Sequence, residues 1–160
     1  LDARIEKEHP RQDGEDRLAK KILALMVELG ELANEWRGFK FWSEDQEPRT
    51  ELWDDRLRFH NPLLEEYVDC LHFLLSIGLE NEVGIFTGDE VMPIKMGTIE
   101  MQFITLFKVT VTFLEDISYY QEMWELFLGL GEMLGFTWSE IEQAYLEKNQ
   151  VNHRRQDSNY

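Results

Sequence analysis

Leu18, Ile22, Leu25, Leu29, Leu32 and Trp36 recur at intervals of four, three, four, three and four residues. An α-helix turns about 100° per residue, so this spacing holds one apolar face for about five turns. A face that long has to be buried against other elements, which excludes a solitary surface helix. Asp13 precedes the pattern and is expected to cap it, its carboxylate accepting from the free N–H groups of the first turn.

The rest of the chain follows the same period. All four prolines fall between periodic segments, as expected where helices are joined by loops. Leu1 to Ile5 already reads as helix. Beyond Gly38 stands an aromatic and basic knot, Phe39-Lys40-Phe41-Trp42, and then a polar loop through Pro48. Asn61-Pro62 reads as a cap followed by a proline in the first helical position, opening a helix from about Leu63 to Leu79. Residues 81 to 97 hold three glycines and a proline and read as a loop. An apolar helical stretch then runs from about Thr98 to about Leu134, long enough to require a break. Thr137 and Glu140 form a capping box that opens a last helix, expected to carry past Lys148 toward Asn152. Strand alternation is nowhere sustained, and no repeat is visible. The expected fold is an all-α helical bundle of about five to six helices in one domain over 1–160.

The chain carries 32 acidic and 16 basic residues, a formal charge of −16. So acidic a surface repels polyphosphate backbones, which argues against a nucleic-acid polymer as partner. It leaves room for a small phosphate ligand if cations offset the repulsion. The single cysteine, Cys70, has no internal disulfide partner, which suits a reducing cytoplasm. No apolar run approaches the ~18 residues of a membrane span. A cytoplasmic protein is expected.

Among so many acids, two pairs stand out by position. Glu28 and Glu31 lie three apart on the shoulder of the first apolar stripe, with Glu35 between them in angle. Glu66 and Asp69, again three apart, lie on a helix that is apolar around most of its circumference. Val68, Leu71, Leu75 and Leu79 cover one side of it, and Leu63, Cys70, Phe73, Leu74 and Ile77 the other. Glu66, Asp69, His72 and Ser76 fill the narrow polar stripe between. Such a helix belongs in the middle of a bundle, where carboxylates are tolerated only if something positive meets them. Two such pairs on facing helices offer four hard oxygen donors to one volume, which suits Mg²⁺ or Mn²⁺. Two other readings stay open: acid pairs on solvated faces, and a di-iron carboxylate site, which Asp69-x-x-His72 half matches.

Lys148, Asn152 and Arg155 are spaced four and three apart, on one face if the last helix continues. A guanidinium, an ammonium and an amide together grip phosphate well. The plainer alternative is a basic helix end complementing the macrodipole.

Taken in order, Glu28-x-x-Glu31, Phe39-Lys40-Phe41-Trp42, Glu66-x-x-Asp69-x-x-His72 and Lys148-x-x-x-Asn152-x-x-Arg155 with Tyr160 resemble the dimeric all-α dUTPases. These are relatives of the MazG-like nucleotide pyrophosphohydrolases. The resemblance covers nearly the whole chain. It implies Mg²⁺ (or Mn²⁺) held by Glu28, Glu31, Glu66 and Asp69. One of Glu28 and Glu31 would also hold the attacking water and help to deprotonate it. It further implies that Asp2, Trp42 and His72 contact the nucleoside. Lys148, Asn152 and Arg155 would grip the phosphates, with Tyr160 nearby and Lys40 assisting. The partners it implies are dUTP, and dUDP as a second substrate, with a second copy of the chain completing a homodimer. A glutamine expected before Leu1 and a basic residue expected after Tyr160 are absent, so the chain is expected to lack both ends. Two other functions stay in view: a MazG-like hydrolase of different base preference, and an acidic helical interaction protein without catalysis.

Overall fold

The computed structural model describes residues 1–53, 59–81 and 91–157. Among them run the helices α1 (Asp2–Glu8), α2 (Arg17–Trp36), α3 (Pro62–Glu80), α4 (Ile99–Thr112), α5 (Tyr120–Met133) and α6 (Trp138–Asp157). A short antiparallel pair, β1 (Leu52–Trp53) and β2 (Phe59–His60), sets Leu52 opposite His60 in the connection between α2 and α3. The fold is an all-α bundle, as the periodicity implied.

α2 buries Ile22, Leu25, Leu29, Leu32 and Trp36, so the four-three spacing becomes its core face. Its cap is Asp16, not Asp13: the Asp16 carboxylate accepts from the Ala19 N–H. Gly14 takes a positive φ of 75° and turns the chain between the two acids, so Asp13 falls outside the helix. Asn61 caps α3 through the Leu64 N–H, with Pro62 in the first turn. Thr137 and Glu140 bond reciprocally at the head of α6.

α3 is the central helix. It buries Leu63, Tyr67, Val68, Cys70, Leu71, Leu74 and Ile77 and packs most extensively on α2, with α6 and α5 on its other sides. Leu79 departs from the expected apolar side and is 67% exposed. Tyr67 stacks on Phe127 of α5 with ring centroids 4.3 Å apart, and its hydroxyl donates to the Phe127 carbonyl at 3.0 Å.

The expected long helix breaks after Thr112. A turn through Glu115 and a 3-10 segment at Ile117–Tyr119, capped by Asp116, fold α5 back on α4. In the preceding segment, residues 91–96 form neither helix nor strand, as expected of a loop, and are tied to both helices by the fully buried Gln102. Its amide donates to the Ile94 and Leu126 carbonyls, and its oxygen accepts from the Met96 N–H, each at 2.7 Å. No helix among the described residues is long and apolar enough to cross a membrane.

Candidate active site

Because α2 and α3 share their apolar faces, the polar shoulders of both are brought together at the rim of the core. There Glu28, Glu31 and Glu66 each place one carboxylate oxygen within 4.8 Å of the other two. Glu28 and Glu66 are half-buried and Glu31 is exposed. Burial, reinforced by Asp69, Glu31 and Glu28, pushes the Glu66 carboxyl up to about 7. Burial, with Asp69 and Glu31, raises Glu28 as well. One oxygen of Glu66, Oε2, is buried without a hydrogen-bond partner.

These features test whether a cation suits the site. Like charges this close, partly removed from water, require either a shared proton or a positive ion. Oxygens bound to one hard cation at ~2.1–2.5 Å lie at most ~5 Å apart, so the three carboxylates fit a single ion. All the donors are oxygen, as Mg²⁺ and Mn²⁺ prefer. The residues fit.

Asp69 was expected to contribute a fourth oxygen to this volume. It lies close enough to raise both Glu28 and Glu66, but its Oδ2 is engaged in an ion pair with the Lys148 ammonium of α6.

Beside the carboxylates lies a pocket of about 290 Å³. Glu28, Asp69, His72 and Ser76 line it from α2 and α3, Lys148, Asn152 and Arg155 from α6, and Asp2 from α1. Lys148, Asn152 and Arg155 therefore share one cleft with Asp2, His72 and Glu28, the member of the acidic cluster that lines it. A polar helix reaches this position because α6 buries Ile141 against the core and turns its remaining length along α3. His72 lies against Tyr145, the ring centroids 4.3 Å apart and the planes inclined by 24°. Its Nε2 is buried without a partner, and burial holds its pKa below the usual value, so the ring is neutral near pH 7. Asp2 accepts a hydrogen bond from the Ser76 hydroxyl, and the Lys21 ammonium lies 3.6 Å from the same oxygen. α1 buries no residue of its own; Arg4 pairs with Asp157 at 2.8 Å, and just beyond the helix Arg11 pairs with Glu80 at 2.7 Å.

Lys40 and Trp42 do not line this pocket. Lys40 donates to Asn34, one turn beyond Glu31, and Trp42 is 66% exposed between the edges of Phe39 and Phe41. Tyr160 lies outside the described residues. Tyr145 was not singled out in the sequence, although it stands three residues before Lys148 and extends the same face of α6. Glu35 was noted only for its angle on α2. Its Oε1 is 3.4 Å from Arg49, and its buried Oε2 has no partner. A wider depression between α1 and α2 is lined by Arg11, Arg17 and Lys20, and all three are already engaged by acids.

No match was found among curated proteins. A family model described as dUTPase matches residues 1–160, so the helices that carry the acids and the helix that carries the basic face both fall within it. With the carboxylate cluster of α2 and α3 opening beside the basic face of α6, and that match spanning all of them, the chain belongs to the all-α dUTPase family, hydrolases that act on dUTP.

Proposed function

We propose that this chain hydrolyses dUTP to dUMP and pyrophosphate, and accepts dUDP, using Mg²⁺ held by Glu28, Glu31 and Glu66 with Asp69 joining them. The observation that carries this reading is an adjacency: Glu28, one of three converging carboxylates, lines the same cleft as Lys148, Asn152 and Arg155. A divalent cation bound there, Mn²⁺ serving in place of Mg²⁺, neutralises phosphate charge and makes water more acidic.

The chain's own groups do the rest. Lys148 and Arg155 hold the phosphate oxygens, the guanidinium by two parallel bonds and the ammonium as a point charge, and Asn152 adds an amide donor. A carboxylate of the Glu28–Glu31 pair accepts a hydrogen bond from the attacking water and takes its proton as the new P–O bond forms. The bond that breaks joins the α- and β-phosphates, and the charge that develops on the departing oxygen falls to Lys148 and Arg155. Asp2 and His72 contact the nucleoside, with Trp42 closing over it from the aromatic loop and Lys40 assisting at the phosphates. Selection for uracil comes from hydrogen bonds to the base edge, which leave site groups unpaired when cytosine enters.

The same reading makes the protein a homodimer. Met101, Ile104 and Val111 form an apolar stripe on α4 with roughly half of each residue exposed, which supports an association face.

Glu31→Gln and Asp69→Asn test the assignment. Each should lower kcat for dUTP by at least about a hundredfold, with the helical circular dichroism unchanged. Turnover retained in either variant overturns the metal assignment.

A further inference from the structure

Two roles meet in Lys148, and one ammonium does not serve both at once. It forms an ion pair with Asp69 Oδ2 in which the two side chains are only 22% and 19% exposed, so the pair is well shielded from water. Its charge also acts on Glu28 and Glu66, which makes Lys148 a counter-cation to the acidic cluster. The pair spans two helices, because Asp69 stands on α3 and Lys148 on α6. Asn152 and Arg155, one and two turns further along α6, line the same pocket, so Lys148 has a second destination within reach.

Resting on the metal reading above, we propose that Lys148 is a resident counter-cation that hands Asp69 over to the divalent ion and moves to the nucleotide phosphates. Metal and nucleotide then assist each other. An incoming dication displaces the ammonium from Asp69 and frees it for phosphate. Incoming phosphates draw the ammonium away and clear Asp69 for the dication. By linkage, each ligand raises the affinity for the other by the same factor. The pair also keeps Asp69 from standing as an uncompensated carboxylate beside Glu28 and Glu66, which would otherwise destabilise the α3–α6 contact. α6 buries only Ile141, so this ion pair and the stack of His72 on Tyr145 are major anchors of the helix on α3.

The test is Mg²⁺ binding by titration calorimetry without nucleotide, on wild type, Lys148→Met, Lys148→Arg and Glu31→Gln. Lys148→Met keeps the aliphatic stem and removes the competitor, so Mg²⁺ should bind about three- to fivefold more tightly. Lys148→Arg should stay near wild type. Lys148→Gln serves as a second neutral variant should the methionine variant fail to fold. In wild type carrying ¹³C-labelled lysine, the Lys148 ε-carbon resonance, assigned through Lys148→Arg, should shift as Mg²⁺ is added. Unchanged or weaker Mg²⁺ binding in the neutral variants overturns the handover. So does tighter binding with an unmoved Lys148 resonance, since that reports only a change in the surrounding field. If Glu31→Gln binds Mg²⁺ as wild type does, the metal reading itself has failed, and the handover falls with it.

Discussion

Tyr145 of α6 lies almost flat on His72 of α3, with 4.3 Å between ring centroids, and so fixes the orientation of an imidazole in the wall of the pocket. A stacked pair contributes about 0.5–1.5 kcal/mol beyond the area it buries. Tyr145→Leu should therefore raise KM for dUTP about three- to tenfold with a much smaller change in kcat, because the proposed function sets His72 against the nucleoside. Tyr145→Phe keeps the stack and should restore the wild-type KM. Equal losses in both variants would show that the hydroxyl matters and the stack does not.

The acidic cluster gives stability an unusual dependence on pH. Glu66 holds its proton up to about 7 in the folded chain, well above the value near 4.5 of an unperturbed glutamate. Between those values the folded state binds more protons than the unfolded one, so stability falls as pH rises from about 5 to about 7 and levels off above. With allowance for solvent screening of a half-exposed group, the fall amounts to roughly 1–2 kcal/mol. Glu28, raised as well, adds to the fall, whereas His72, whose pKa burial depresses, has the opposite sign and offsets part of it below about 6.5. Glu15, held down to about 2 by Arg17, the Gln12 N–H and Lys20, acts only below this window. Saturating Mg²⁺ should abolish the fall, because the dication replaces the proton. Calorimetry near pH 7 in buffers of different ionisation enthalpy should accordingly show proton release as Mg²⁺ binds. A flat stability profile without Mg²⁺ would contradict the cluster as drawn.

Two glycines make opposite predictions for stability. A Cβ on Gly129 would lie 1.9 Å from the Ile94 carbonyl oxygen, a backbone atom fixed by Gln102. Gly129→Ala should destabilise the chain by about 1–3 kcal/mol in urea melts. Gly30 of α2 has nothing within 4 Å of the added carbon. Gly30→Ala should stabilise by roughly 0.5–1 kcal/mol through helix propensity alone.

The parts of this architecture that repeat locally were legible in the sequence. The α2 stripe, the cap at Asn61 and the box at Thr137 each depend on residues within a few positions of one another, and each appears as expected. The cap of α2 was misplaced because two aspartates precede the stripe and only the backbone turn at Gly14 chooses between them. The end of α4 was blurred for a related reason: neither proline nor glycine marks Phe113 to Asp116, so nothing local announces the fold-back. Gln102 is fully buried, which glutamine seldom is, because three backbone groups from elsewhere satisfy its amide. In the site, the spacing of acids and bases identified which side chains share a face. It could not show that Lys148 would meet Asp69, 79 residues away, or that Ser76 would hold Asp2. Those pairings follow from how α6 and α1 dock on α3, which no single helix encodes.

One assay decides whether the acidic cleft binds a divalent cation and a uracil nucleotide for hydrolysis. The purified protein is mixed separately with dUTP, dTTP, dCTP and dATP, with Mg²⁺ and again with excess EDTA, and monophosphate and pyrophosphate release are quantified. Cation-dependent hydrolysis of a uracil nucleotide gives dUMP and pyrophosphate from dUTP with Mg²⁺, little or no product from the other three, and silence in EDTA. Turnover of dUTP that persists in EDTA, or equal turnover of dTTP and dCTP, would contradict it.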